Sequence, residues 1–130
     1  MMWSSSFETG ISSVDEQHKE LFRQVGILSD KSNEARVKAT LDFLADYVVK
    51  HFGHEEMLQA KTRYPKAAEH KKLHTDLIGV YKDFRKEFDA KPDKQAVLLM
   101  KLTKTLTDWL VQHIKGADKE FAEYYLNTAK

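Results

Sequence analysis

The sequence contains no cysteine. That excludes disulfides, thiolate zinc sites, cysteine-ligated iron–sulfur clusters and cysteine nucleophiles, and it suits a reducing compartment, so a cytoplasmic location is expected. Proline and glycine are scarce, two and five residues among 130, and both prolines fall where a helical pattern breaks. Charge of one sign is also missing. Lys and Arg total 21 against 20 Asp and Glu, a net charge of +1, without the clustered basic excess of a nucleic-acid-binding surface. No apolar run approaches the roughly 18 residues that a membrane span needs. The opening Met-Met-Trp-Ser-Ser-Ser has neither the basic nor the apolar region of a secretory signal.

Strand-like alternation does not persist anywhere. Four segments instead carry apolar residues at alternating spacings of three and four, which marks one face of a helix. The first starts at Ser13, where Ser13 and Glu16 have the spacing of a capping box, and its stripe reads Val14, His18, Leu21, Val25, Leu28. A polar loop follows at Ser29–Asn33. The second stripe reads Val37, Leu41, Leu44, Val48, His51, Glu55, Leu58, and Pro65 then suits a first helical position. The third runs Ala67, His70, His74, Leu77, Tyr81, Phe84, Phe88. The fourth runs Leu99, Leu102, Leu106, Trp109, His113, with Gly116 as a natural stop. Trp3 and Phe7 mark an N-terminal arm, and Phe121, Tyr124 and Tyr125 a short C-terminal helical piece. Together these predict an all-α fold, an antiparallel up-down-up-down four-helix bundle with that arm and that piece attached.

What the chain does have is histidine in the wrong place. Five of its six histidines, His18, His51, His70, His74 and His113, fall on the apolar stripes, and so does Glu55. A polar group in a core without a partner costs a few kcal/mol, and an unpaired charge more. One such residue is usually a hydrogen-bonded core residue, but six need a common cause. In an alternating bundle the start of the first helix, the end of the second, the start of the third and the end of the fourth share one end. At about 1.5 Å rise per residue, all six then lie in one layer roughly 5–15 Å from that end. His51 with Glu55, and His70 with His74, are four residues apart and point the same way. Asp118, five residues beyond His113, can fold back to the same end.

Five imidazoles and two carboxylates without a thiolate suit a first-row metal such as Fe, Mn, Zn, Ni or Cu. A cation also removes the objection to a buried Glu55. Seven ligands are too many for one ion, which points to two ions bridged by the carboxylates. If one solvent oxo or hydroxo bridge completes a six-coordinate pair, one position stays open for an exogenous small molecule. The zincin pattern is absent, because His54-Glu55 is not followed by a histidine at residue 58. So is the Glu-x-x-His pattern of ferritin-like di-iron oxidases. The histidine-rich set favours reversible binding over high-valent oxidation. His54 and Glu56 lie off the stripe and read as solvated surface.

The same residues carry a resemblance. Trp3, Gly10–Ile11, Asp15-Glu16-Gln17-His18, His51-Phe52, Glu55-Glu56, the His70/His74 pair, Trp109-Leu110, His113 and Asp118 stand in the order and at the spacing of bacterial single-domain hemerythrins. The chain resembles that family over nearly its whole length. The resemblance implies a single hemerythrin-like domain over residues 1–130 and a non-haem di-iron centre that binds dioxygen reversibly, for carriage, storage, delivery or sensing. It assigns one iron to His70, His74 and His113, the other, with the open position, to His18 and His51, and both bridges to Glu55 and Asp118. Leu110 matches a residue lining the gas pocket, and Trp109, Phe22 and Phe52 are the other candidate walls. The expected partner is dioxygen, with no nucleic acid or membrane, and the expected role is not enzymatic. The alternatives are a di-iron enzyme acting on peroxide or nitric oxide, and a structural bundle whose histidines are incidental or hold zinc.

Overall fold

A computed structural model describes residues 3–28 and 34–128 of the chain. The polar loop expected at Ser29–Asn33 lies outside the described residues. Four long helices form: α1 over Ser12–Ile27, α2 over Glu34–Lys61, α3 over Ala67–Ala90 and α4 over Gln95–His113. A fifth, α5, covers Lys119–Thr128. Helix α1 packs against α2 and α4, and α3 packs against the same two, so the four enclose one core in the expected up-down-up-down order. That core holds Leu21, Val25, Leu41, Leu44, Leu77, Phe88, Leu102 and Leu106. All are stripe residues, and burying an apolar side chain of this kind contributes about 1.5–3 kcal/mol. None of the helices is long and apolar enough to cross a membrane.

The arm is ordered. Phe7 ends a 3₁₀ turn at Ser5–Phe7 and stacks on Phe22 with ring centroids 5.2 Å apart. Trp3 meets Phe7 edge-on, and the Lys19 ammonium lies 4.8 Å from the Trp3 ring, an attraction between cation and π-face. Entry into α1 differs from the expected capping box. Helix α1 starts at Ser12, and no side chain caps it. The Asp15 carboxylate instead reaches back to accept from the Thr9 amide at 2.8 Å, the Thr9 hydroxyl at 2.7 Å and the Gly10 amide at 3.3 Å. Gly10 has φ +91°, and a Cβ there would stand 2.9 Å from Leu126 Cδ1. Glycine meets the positive φ without strain, whereas the methyl of the exposed Leu126 side chain can shift aside.

Two other local expectations are corrected. Pro65 is not the first helical residue, because α3 begins at Ala67 and Pro65 lies in the preceding turn. Gly116 does not stop α4. The chain continues from α4 into α5 through a π-helical turn, Ile114–Asp118, in which the Lys119 amide donates to the Ile114 carbonyl five residues back. The α5 residues Phe121 and Ala122 bury against Ile11, Val14, Leu58 and Tyr64 in a second, smaller core beyond the histidine layer.

Candidate metal centre

All seven residues singled out by the sequence converge. His18 comes from α1, His51 and Glu55 from α2, His70 and His74 from α3, His113 from α4, and Asp118 from the π turn. Each is buried. A π turn closes its hydrogen bonds over five residues rather than four. That brings Asp118 onto the side of the helix that carries His113, with Asp118 Oδ1 2.9 Å from His113 Nε2.

The donors form two groups. Glu55, His70, His74, His113 and Asp118 make one, and His18, His51, Glu55 and Asp118 the other, with the ligand atoms of each group within 4.8 Å of one another. The two carboxylates belong to both groups and divide their oxygens between them. Glu55 Oε1 faces His70 Nε2 at 2.5 Å and His74 Nε2 at 3.5 Å, whereas Oε2 faces His51 Nε2 at 3.8 Å. Asp118 Oδ1 faces His70 and His113, at 3.0 and 2.9 Å, whereas Oδ2 faces His18 Nε2 at 3.0 Å.

Hydrogen bonding does not account for this arrangement. Nε2 of His113 lies 3.1 Å from Nε2 of both His70 and His74, three ring nitrogens aimed at one place. Both oxygens of Glu55, both of Asp118 and both ring nitrogens of His18 are buried without a correctly angled hydrogen-bond partner. Orphaned atoms of this kind are rare and call for a missing counterpart. A cation supplies one. Donors at about 2.1 Å from a common ion stand about 3.0 Å apart along an octahedral edge, and the contacts among His70, His113 and Asp118 have that length.

Two residues that the sequence reading left aside complete the site. His51 Nδ1 donates to Gln17 Oε1 at 2.7 Å, and His74 Nδ1 donates to Glu56 Oε2 at 3.0 Å. Each contact fixes the proton on Nδ1 and so presents the Nε2 lone pair to the centre. Glu56 is therefore not simple surface. His54 belongs to neither group and contacts the Ser13 hydroxyl at 3.1 Å. Gln59, one turn beyond Glu55, is buried with both amide atoms unpartnered among the described residues. Glu56→Gln is expected to weaken metal affinity about 10- to 100-fold while leaving helicity unchanged. Competition against a chelator of known affinity measures this, and unchanged affinity would remove Glu56 from the site.

Aromatic faces cover the imidazoles. Phe52 lies flat on His74, with centroids 3.8 Å apart and planes 2° from parallel, and Trp109 stacks on His113 at 4.2 Å and 14°. Leu110, one turn before His113, is buried. Phe22 packs on Phe7 of the arm.

The neighbouring charges and burial shift three of these groups. Burial pushes His51 down to about 3, helped by the neighbouring His18. Burial would also lower His70, but Asp118 and Glu55 outweigh it and raise that imidazole to about 9. Asp118 is opposed by burial, yet His113, His18 and His70 hold it well below the usual carboxylate range.

Comparison with known proteins agrees with this centre. The family model described as the hemerythrin HHE cation binding domain matches residues 9–125. A bacteriohemerythrin of Methylococcus capsulatus is 38% identical over 123 residues, covering 92% of each chain. A hemerythrin-like protein of Naegleria gruberi is 32% identical over 120 residues, covering 92% of this chain and 88% of its own. The crystal structure of a wild-type hemerythrin superposes with a TM-score of 0.84 at 36% identity, over 96% of this chain and 97% of that one. With these histidine and carboxylate side chains converging as two groups in such a bundle, the chain belongs to the hemerythrin HHE cation-binding family.

Proposed function

We propose that the chain, as one domain over residues 1–130, binds dioxygen reversibly at a non-haem di-iron centre and does not turn over a substrate. The observation that supports this most directly is the division of the Glu55 and Asp118 oxygens between a group of five residues and a group of four. His70, His74 and His113 would hold one iron, His18 and His51 the other, and the two carboxylates would bridge both. The first group offers five protein donors and the second four, so the second would be the one with room for an added ligand. When bound, the iron pair supplies an open coordination position and the electrons that dioxygen takes up and gives back.

The chain's own residues hold and insulate. Gln17 and Glu56 keep the His51 and His74 rings turned with Nε2 inward. Phe52 and Trp109 cover ring faces, and with Leu110 and Phe22 they form an apolar wall that excludes water and proton donors from the gas pocket. Such a wall slows irreversible oxidation, because loss of a reduced oxygen species from an apolar, proton-poor site is disfavoured. The test is an optical titration of the reduced protein with dioxygen, with iron counted on the same sample. Two irons per chain and colour that appears in air and bleaches on degassing are expected. Iron that oxidises once and never cycles overturns the reading. Leu110→Ala should keep both irons and lose the reversible colour sooner in air.

Loading should also be coupled to protons. In the metal-free chain His70, raised to about 9, is protonated at neutral pH, and a ligand must lose its proton to bind metal. Iron binding at pH 7 is therefore expected to release that proton, with the release fading as pH rises through about 9. The stability of the metal-free chain follows the same linkage. The raised His70 contributes fully below the ordinary 6.5 and loses its contribution as pH climbs to about 9. The lowered His51 contributes above 6.5 and loses it as pH falls toward 3. Chelated protein should thus melt highest near pH 6.5 in a buffer series.

A further inference from the structure

Next to the histidine layer, a cleft opens between α2 and α3 and runs to the middle of the bundle. Its volume is about 370 Å³. The inner end is made by Leu21, Leu77 and Leu110, each three residues from a histidine of the centre. Leu44, Val48 and Leu106 form the walls, and the mouth carries Val49, Lys82, Arg85 and Lys86. Dioxygen has two atoms. At about 30 Å³ for each water-sized group, this cleft takes about a dozen such groups, and its volume falls in the range of small-molecule sites, about 300–1,000 Å³.

The polar groups around the cleft are almost all engaged. The Tyr81 hydroxyl donates to the Leu41 carbonyl, so only its ring faces the cleft. Arg85 is held by Asp42 at 2.7 Å and Asp89 at 3.2 Å. Lys82 and Lys86, one turn apart on the same face of α3, are exposed and have no carboxylate within salt-bridge distance among the described residues. The apolar cleft thus carries at its mouth two ammonium groups without a carboxylate partner among the described residues. Arg85, Lys82 and Lys86 face only one carboxylate in the lining, that of Asp89.

We propose that this cleft binds a free medium-chain carboxylate amphiphile, with its hydrocarbon chain between α2 and α3 and its carboxylate on Lys82 and Lys86. A carboxylate head is charge-complementary to the two ammonium groups, and the volume accommodates one chain rather than the two of a membrane lipid. No lining residue is a proposed metal ligand, and Leu110 is shared with the proposed gas pocket, so the site is tested at Lys82, Lys86 and Ala45, which lie away from the centre.

The test is a calorimetric titration of the iron-loaded chain with decanoate below its micellar concentration, beside decanol and decylammonium. Decanoate should bind one to one in the micromolar range, and decylammonium at least tenfold more weakly. The exposed pair Lys82→Glu with Lys86→Glu should weaken decanoate at least tenfold and leave decanol unchanged. Ala45→Trp, placed at the exposed mouth, should abolish binding of both decanoate and decanol while the thermal midpoint and iron content hold. The absence of decanoate binding at millimolar concentration overturns the proposal. Equal binding of all three amphiphiles, or indifference to the lysine reversal, overturns it as well, because the cleft would then be an apolar surface without a carboxylate site.

Discussion

Asp118→Asn is expected to strip both cations from the chain, not one. Asp118 places one oxygen 3.0 and 2.9 Å from His70 and His113, and the other 3.0 Å from His18. It therefore belongs to both donor groups, as does Glu55. An amide keeps the shape and loses the charge, and it turns an NH₂ toward one of the two groups. His51→Ala, by contrast, removes a ligand from the smaller group alone and should leave one ion. The consequence for stability is large. An ion present at about a thousand times its dissociation constant stabilises the fold by about 4 kcal/mol. For a chain of this size that is roughly 10–20 °C in thermal midpoint per ion. Native protein should therefore melt well above its chelated form, and Asp118→Asn should melt alike with and without iron. Metal analysis after gel filtration, with far-ultraviolet circular dichroism on the same fractions, measures both effects. If Asp118→Asn retained two ions, Asp118 would not be a shared ligand.

An insertion should have a comparable effect without removing any ligand. Gly116 is exposed, and nothing lies within 4 Å of the place where its Cβ would be, so one alanine added after it displaces no packed side chain. The π turn Ile114–Asp118 already carries one residue more than an α turn. A second extra residue turns every later residue by about 100° relative to α4. Asp118 leaves the centre, and Phe121 and Ala122 leave their contacts with Ile11, Val14, Leu58 and Tyr64. Deleting Lys119 in the same chain brings α5 back into register while Asp118 stays rotated away. The insertion is expected to lose iron and stability, and the compensated variant to recover helix packing but not iron. Full iron in the compensated variant would show that the π turn does not place Asp118.

The candidate ligands were legible because they violate a rule that the rest of the sequence obeys. His18, His51, Glu55, His70, His74 and His113 sit where the helical period demands apolar side chains, and the bundle topology gathers such positions at one end. Asp118 was legible as a residue but not as a conformation. Gly116 reads as a helix stop because glycine favours helix ends, yet here it sits inside a continuous helix. The available signal was the spacing itself. A separation of five positions on an unbroken helix, with both side chains on one face, fits a π turn and no α turn. Gln17 and Glu56 stand in the matched motifs without a role because they lie beside the stripe rather than on it, and periodicity says nothing of what the far nitrogen of an imidazole touches. The cap of α1 was misread for a related reason. Ser13 and Glu16 have the right spacing, but Asp15 satisfies the amides of the preceding turn instead.

The bridging role proposed for Asp118 also has a mechanical consequence. His18 and Asp118 lie a hundred residues apart in sequence and 3.0 Å apart in space. A loaded centre therefore closes almost the whole polypeptide into one loop, and a loop of that length removes many conformations from the unfolded ensemble. Pulled from its two ends, such a molecule would carry the load through the ligand bonds nearest those ends. The helices between would stay out of the force path until a coordination bond ruptured.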